Sequence, residues 1–158
     1  MAKILIIYYS RTGNTRQMAE AVADGARKAG AETTICDVKS CSLEQLLDND
    51  GIIAGSPTYY GLVSGALKDF FDRSVKYHGK LEGKVGGAFS STGVLGGGSE
   101  TTVLSILQMM LVHGMIVQGQ SEGNHYGVVS IEAPNENVIE QCRQLGERVS
   151  KLTGKLFG

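Results

Sequence analysis

The stretch that decides the fold is KILIIYYSRTGNT, residues 3–15. Its first half is an apolar run of strand length, and its second half is a loop rich in hydroxyl groups that contains one glycine, Gly13. A helical pattern begins at once, because Met18 and Val22 continue the chain at helical spacing. A buried strand therefore delivers the loop to a helix N-terminus, where free N–H groups and the helix dipole favour an anion.

The side chains of this loop indicate which anion fits. Ser10, Thr12, Asn14 and Thr15 add neutral donors, and the loop contains Arg11 but no lysine. We therefore expect one permanently bound phosphate monoester rather than a phosphate that is cleaved. The loop has neither the G-x-x-x-x-G-K-[ST] pattern of nucleoside-triphosphate sites nor the G-x-G-x-x-G pattern of dinucleotide sites. The alternative is an ordinary strand-to-helix turn whose residues only cap the helix.

Length and composition narrow the classes of function. The chain has 158 residues and a net charge of −1. We therefore expect a single domain, residues 1–158, and neither nucleic acid nor a membrane as a partner. Cys36, Cys41 and Cys142 have no metal-ligand spacing, which favours a reduced cytoplasmic chain with no metal site. No apolar run is long enough to span a bilayer.

Apolar runs of strand length alternate with helical patterns along the chain, which is typical of β-α-β units and a parallel sheet. The predicted strands lie near residues 3–9, 32–38, 51–55, 85–90 and 114–117. Ser64 and Ser99 are expected to cap helices, and residues 118–133 are the least regular stretch. The sequence predicts an α/β fold: a doubly wound, five-stranded parallel sheet in the order 2-1-3-4-5, with helices on both faces.

Ligands of such a sheet bind beyond the carboxyl ends of strands 1, 3 and 4, where this sequence has its most unusual loops. Besides residues 10–15, these are SPTYYG, residues 56–61, and STGVLGGG, residues 91–98. Tyr59 and Tyr60 offer flat faces to an aromatic ligand, and Gly61 permits close backbone approach. Together the loops predict a site that holds a phosphate at one end and a planar polar ring at the other.

Three further segments carry a more specific resemblance. They are GSPTYYGLVSGALKDFFDRS at residues 55–74, AFSSTGVLGGGSETT at residues 88–102 and LVHGM at residues 111–115. The S-x-T-G-N-T loop is similar to the FMN phosphate loop of flavodoxins. With the three segments in this order, the chain resembles the WrbA-type NAD(P)H:quinone oxidoreductases, a branch of the flavodoxin-like superfamily. It differs from them in being shorter, in having no tryptophan and in an abbreviated segment, residues 74–84.

The resemblance implies FMN as cofactor, NAD(P)H as electron donor, and two-electron reduction of a quinone or a similar acceptor. It implies cofactor contacts from the following residues: Ser10, Arg11, Thr12, Gly13, Asn14, Thr15, Pro57, Thr58, Tyr59, Tyr60, Gly61, Ser91, Thr92, Gly93, Gly96, Gly97 and His113. His113 would approach the ring edge, whereas its own position equally fits a packed histidine at a helix C-terminus. No dedicated acid–base pair stands out, so Tyr60, His113 or water would supply protons.

Two other functions fit the same residues. A flavodoxin that carries single electrons between proteins has the same phosphate loop, but such carriers present a strongly acidic face, and the net charge here is −1. An FMN-binding sensor or interaction module is the third alternative. The resemblance also implies a homodimer or a homotetramer, and the shortened segment favours the smaller assembly.

Overall fold

A computed structural model describes residues 1–158. The strands are β1 Lys3–Tyr8, β2 Glu32–Asp37, β3 Gly51–Tyr59, β4 Leu62–Val63, β5 Val85–Thr92, β6 Ile116–Val117 and β7 Val128–Ile131. The α-helices are α1 Asn14–Lys28, α2 Gln45–Asp48, α3 Gly65–Arg73, α4 Ser99–Val112 and α5 Glu136–Phe157, and a 3-10 helix spans Ser74–Tyr77. None of the helices combines the length and the apolar character that crossing a membrane requires.

The strands form one sheet in the order β2-β1-β3-β5, and the fifth position is shared by two short strands. β6 pairs with the start of β5 and β7 pairs with its end, so residues 118–127 leave the sheet between them. All of these pairs are parallel, and only β4 runs antiparallel, against the end of β3. The predicted order 2-1-3-4-5 and the doubly wound α/β class are confirmed.

Three boundaries differ from the sequence prediction. β3 continues to Tyr59 and β5 to Thr92, because the ladder between them extends to Pro57 and Ser91. Residues predicted as free loops are therefore held by strand pairing. The fifth strand, predicted at residues 114–117, pairs only through Ile116–Val117. The rest of the fifth position is filled by β7, which lies within residues 118–133, the stretch predicted as irregular.

Apolar residues pack on both faces of the sheet because side chains alternate along each strand. Ile4 and Ile6 of β1 pack in the layer that contains residues of α1 and α5, whereas Leu5 and Ile7 pack in the layer that contains residues of α3 and α4. The Oγ of Ser64 accepts a hydrogen bond from the Leu67 N–H at 3.3 Å, which confirms the predicted cap of α3.

The start of α4 differs from the prediction. Gly98, in the left-handed region at φ +104°, precedes the helix, and no side chain caps it. Ser99 is instead the first helical residue, and its Oγ lies 3.1 Å from the Glu100 carboxylate. The predicted Ser99 cap is therefore wrong, because the glycine-rich loop supplies the turn that enters the helix.

Candidate cofactor site

The carboxyl ends of β1, β3 and β5 surround a cavity of about 550 Å³. Its lining residues are Arg11, Thr12, Asn14, Thr15, Pro57, Thr58, Tyr59, Ser91, Thr92, Gly93 and Glu132. All of them except Glu132 were predicted from the sequence as ligand contacts. The topology therefore brings the three predicted loops to one place.

The loop between β1 and α1 has the form of an anion site. Gly13 has φ +99°, and its N–H donates to the Oγ of Ser10 at 3.1 Å, so Ser10 and Gly13 shape the loop from outside the lining. The following N–H groups make no hydrogen bond within the chain: those of Arg11, Thr12, Asn14 and Thr15. The N-cap residue Gly13 has no side chain, and in the first turn of α1 the N–H of Arg16 donates to the Oγ of Ser10 at 3.3 Å. Unused N–H groups at the positive end of a helix dipole suit a phosphate.

Hydroxyl contacts join the three loops below the cavity. The buried Oγ1 of Thr15 lies 3.0 Å from the Oγ of Ser91, which connects the first loop to the third. The Oγ1 of Thr58, in the second loop, lies 3.0 Å from the Oγ of Ser90 and 3.1 Å from the Oγ1 of Thr102. Because these hydroxyls satisfy one another, the loops are positioned by the protein itself.

The opposite end of the cavity is aromatic and open. The ring of Tyr59 meets that of Tyr9 edge to face, with centroids 6.4 Å apart. Partial burial raises the pKa of Tyr59, so its phenol stays protonated at neutral pH. Tyr60 follows it with φ +50° and a fully exposed side chain, a conformation that few non-glycine residues adopt. An exposed aromatic ring thus lies beside the mouth of the cavity.

Glycines permit the second and third loops to touch. A Cβ on Gly98 would lie 2.6 Å from the Cα of Gly61, which is too close for any side chain. The Oγ1 of Thr101 donates to the carbonyl of Gly61 at 2.6 Å and fixes this contact. Gly96 and Gly97 belong to the same third loop but do not line the cavity.

The lining contains one cation, Arg11, and one carboxylate, Glu132. Glu132 adopts φ +58°, and its N–H donates to the carbonyl of Thr92 at 2.7 Å. It reaches the site because β7 pairs with the end of β5 and carries the following residue to the same edge of the sheet. The only sequence signal for β7 was the short apolar run VVSI, residues 128–131, which lies within the stretch predicted as irregular.

His113 does not lie in this cavity. Its Nε2 is 2.7 Å from the Oγ of Ser74, and it lines a separate cavity between α3 and α4 with Phe71 and His78. The 14 residues of α4 lead away from the site by about 20 Å, at roughly 1.5 Å per residue. The structure therefore does not bring His113 together with the three predicted loops, and a contact between His113 and the cofactor ring stays a prediction. Burial, together with His78, lowers the pKa of His113.

Comparison with known proteins gives one family and one fold. The model of a family described as NADPH-dependent FMN reductase matches residues 40–125. A flavodoxin from Aquifex aeolicus is 44% identical over 160 residues, covering 96% of this chain and 86% of its own. An NAD(P)H dehydrogenase (quinone) from Archaeoglobus fulgidus is 36% identical, covering 99% of this chain and 100% of its own.

Comparison with solved structures indicates the flavodoxin-like fold. The crystal structure of a WrbA-like flavodoxin from Agrobacterium tumefaciens matches with a TM-score of 0.85 at 29% identity, covering 98% of this chain and 99% of its own. The alignment to the Archaeoglobus protein extends over 190 positions, and this chain has 158 residues, so it lacks segments that the relative has. The chain belongs to the NADPH-dependent FMN reductase family and has the flavodoxin-like fold.

Proposed function

We propose that this protein is an FMN-dependent oxidoreductase that accepts electrons from NAD(P)H and passes them in pairs to a quinone or a similar acceptor. The observation that carries the proposal is the cavity at the carboxyl ends of β1, β3 and β5, with free N–H groups at one end and an open aromatic rim at the other. The quinone dehydrogenase relatives, which align over the whole chain, support this choice of reaction.

The phosphate of FMN is assigned to residues 10–15. The N–H groups of this loop have no partner within the chain, and Thr12 and Asn14 line the cavity beside them. Arg11 is the one cation of the lining, so a dianionic phosphate meets mainly neutral donors. Such a site fits a group that is bound and retained, because charge-assisted hydrogen bonds from N–H and hydroxyl groups hold the phosphate.

The ring of FMN is assigned to the second and third loops. These contribute Pro57, Thr58, Tyr59, Tyr60 and Gly61 from one side and Ser91, Thr92, Gly93, Gly96 and Gly97 from the other. Small residues of the third loop leave room for a planar group, and Tyr59 supplies an aromatic wall. The exposure of Tyr60 leaves the rim accessible to a second planar molecule.

FMN, when bound, supplies hydride transfer between a nicotinamide and an acceptor, and the protein supplies position and access. The titratable groups of the lining are Arg11, Tyr59 and Glu132. Tyr59 remains protonated because its pKa is raised, so it acts as a hydrogen-bond donor rather than as a base. No acid–base pair faces the ring end, and the proton that the acceptor needs is assigned to water, or to the exposed phenol of Tyr60.

A single-electron carrier is the second candidate, and the flavodoxin relative at 44% identity favours it. The charge distribution opposes it. The acidic side chains on α1 and α3 are paired with nearby basic ones, as in Arg16–Glu20 and Arg73–Asp69. A carrier needs an uncompensated charged face to steer its protein partners. An FMN-binding sensor is the third candidate, and no contact in the structure favours it over the other two.

The test is anaerobic mixing of the FMN-loaded protein with NADH or NADPH in a stopped-flow spectrophotometer, with free FMN as the control. We expect rapid loss of the visible flavin absorbance, followed by its return when a quinone is added, and ping-pong steady-state kinetics. If neither nicotinamide bleaches the bound flavin, the reductase proposal is wrong. Reduction only by a protein donor would then support the carrier.

We also propose that the protein acts as a homodimer or homotetramer in the cytoplasm. The outer face of α4 exposes Leu104, Leu111 and Val112, and the helix contains no charged residue after Glu100. An uncharged apolar helix face is typical of a surface that another subunit covers. Light scattering of the FMN-loaded protein at micromolar concentration tests this, and a monomer mass would contradict it.

A further inference from the structure

A polar cavity on α5 is separate from the candidate cofactor site. Its volume is about 510 Å³, and Leu152 is its one apolar lining residue. The other lining residues are three amides, three cations and one carboxylate: Gln118, Gln120, Gln144, Arg148, Lys151, Lys155 and Glu147. Arg148 lies about 18 Å along α5 from the helix start at Glu136, at roughly 1.5 Å per residue. The two cavities share no lining residue.

The cavity on α5 has an excess of positive charge. Arg148, Lys151 and Lys155 recur at helical spacing, so they share one face of α5. Lys151 is compensated, because it pairs with the Glu147 carboxylate at 2.5 Å. Arg148 and Lys155 take part in none of the ion pairs of the chain. Two cations on this helix face therefore have no carboxylate partner.

These two cations differ in what the fold explains. Lys155 is exposed in the last turn of α5, where the helix dipole favours a cation. Arg148 is half-buried and precedes the last turn, beyond which the dipole has little effect. Since removing a charge from water is costly unless the charge is paired, an unpaired and half-buried guanidinium indicates a site for an anion.

The guanidinium of Arg148 is held on one side and free on the other. Its Nη1 donates to the Oε1 of Gln120, and the N–H of Gln120 donates to the carbonyl of His125 at 3.1 Å. The Nε of Arg148 is buried without a hydrogen-bond partner, and its Nη2 donates to no group of the chain. Nε–H and one N–H of Nη2 point in the same direction, and together they form a fork that matches two oxygens of a carboxylate or a phosphate. Buried donors without a partner are rare in folded proteins.

We propose that the cavity on α5 binds a small phosphorylated molecule, with its phosphate on the free fork of Arg148 and on the ammonium of Lys155. The two uncompensated cations match the charge of nearly −2 that a phosphate monoester carries at neutral pH. This site goes beyond the proposed reductase activity and does not depend on it.

The rest of the lining indicates the kind of molecule that carries the phosphate. The amides of Gln118 and Gln144 each donate and accept hydrogen bonds, so they suit the hydroxyl groups of a sugar. Because Leu152 is the one apolar residue of the lining, the cavity offers little to an aromatic or aliphatic carrier. A sugar phosphate therefore fits better than a phosphate on an apolar group.

The test is an NMR titration of the ¹⁵N-labelled, FMN-loaded protein at constant ionic strength. Ribose 5-phosphate, inorganic phosphate and ribose are the three probes, and an unchanged flavin absorbance shows that FMN keeps its own site. We expect a saturable shift of the Arg148 Nε–H signal with ribose 5-phosphate, weaker binding of inorganic phosphate, and no shift with ribose. No saturable shift of this signal with either phosphate would overturn the site. Equal affinity for the two phosphates would overturn the sugar carrier.

Variants separate Arg148 from a general effect of positive charge, with binding followed through the backbone signals of residues 118–120. Arg148→Gln should weaken the binding of ribose 5-phosphate by about tenfold or more, because the fork supplies charge-assisted hydrogen bonds. Arg143→Gln is the matched control: Arg143 lies on the same helix, pairs with Glu140 at 3.3 Å and does not line the cavity, so binding should equal that of the wild type.

Lys155→Gln keeps the test decisive if the loss of the contact between Arg148 and Gln120 disturbs the fold. Lys155 is exposed and makes no ion pair, so its substitution leaves the packing intact. We expect a severalfold weaker binding of ribose 5-phosphate in Lys155→Gln. If Arg148→Gln and Lys155→Gln both bound it as tightly as the wild type, the assignment of the phosphate to these two residues would be wrong.

Discussion

The two ends of the candidate cofactor site are built differently. At the phosphate end, backbone N–H groups converge at the start of α1, and the loop is tied down by the buried contact between Thr15 and Ser91. At the ring end, Tyr60 is fully exposed at φ +50°, and Val94 and Leu95 project into solvent. One end has positioned donors, and the other has accessible apolar surface.

This difference indicates how one site combines retention with turnover. Charge-assisted hydrogen bonds to a phosphate are strong and directional, so they can hold a cofactor permanently. Apolar contacts are weaker individually and less directional, so an open apolar rim accepts different planar molecules in turn. We infer that affinity resides mainly at the phosphate end and reactivity at the ring end. The following predictions test that division.

The largest effect is expected at the phosphate end. Thr12→Ala and Thr15→Ala should each weaken FMN binding by about 1–3 kcal/mol, because the first removes a hydroxyl beside the anion and the second removes the contact with Ser91 that holds the loop. Equilibrium titration with FMN and with riboflavin measures this. Riboflavin, which has no phosphate, should bind the variants and the wild type with similar Kd.

Thr34→Ala is the matched control, since Thr34 lies in β2 away from the cavity. Its FMN affinity should equal that of the wild type. If Thr12→Ala and Thr15→Ala weakened riboflavin as much as FMN, the loop would not be the phosphate site, and the division between the two ends would fail.

The phosphate end is also the part of the site that the sequence predicts best, for a physical reason. Strand, loop and helix are contiguous in the sequence, so local pattern and capping chemistry suffice. The Ser64 cap was predictable on the same ground, because its partner is the Leu67 N–H three residues on. The strand order followed from the alternation of strands and helices, which has few topological solutions.

What the sequence did not reveal depends on contacts between distant residues. Glu132 reaches the cavity only because β7, a four-residue strand, pairs with the end of β5 across an excursion of the chain. His113 lines a separate cavity because the 14 residues of α4 separate it from the third loop. A local sequence pattern predicts neither the register of a short strand nor the direction of a helix relative to a ligand.

The second prediction concerns the contact that joins the ring-end loops. Gly98→Ala should weaken FMN binding by about 1–3 kcal/mol, because a Cβ in the left-handed region is strained and collides with Gly61. Gly30→Ala is the matched control: Gly30 has φ +88° but no atom within 4 Å of the added Cβ, and it does not line the cavity. Fluorescence titration of FMN compares the two. Equal losses would mean that backbone strain alone, and not the contact with Gly61, sets the geometry.

The third prediction separates affinity from turnover at the rim. Tyr60→Ala should change FMN affinity by less than about 1 kcal/mol, since an exposed ring offers one aromatic contact at most. It should raise the KM for the quinone, because the acceptor loses a surface on which to stack. Tyr60→Phe keeps the ring and should keep the wild-type KM. A large loss of FMN affinity in Tyr60→Ala would place cofactor binding, and not only access, at the ring end.

The smallest effect on the site is expected from His113, which lies beyond the far end of α4. Its pKa is lowered in the folded protein by burial and by His78, so the unfolded chain binds the proton more readily. Neutral His113 therefore contributes to the free energy of unfolding fully above the ordinary histidine pKa. This contribution is lost as the pH falls from about 6.5 through the lowered folded-state pKa. Denaturant titrations between pH 7.5 and about 5 should show this loss in the wild type and a smaller one in His113→Gln.

The variant His113→Gln also tests whether the candidate cofactor site excludes His113. FMN affinity at neutral pH should be equal in His113→Gln and the wild type, because His113 contacts Ser74 and lines a separate cavity. His125→Gln is the control for the loss of a histidine from the surface: His125 is exposed, and its substitution should leave FMN affinity unchanged. If His113→Gln weakened FMN binding while keeping the wild-type stability, the ring end would extend to His113, and the open rim would need a second subunit to complete it.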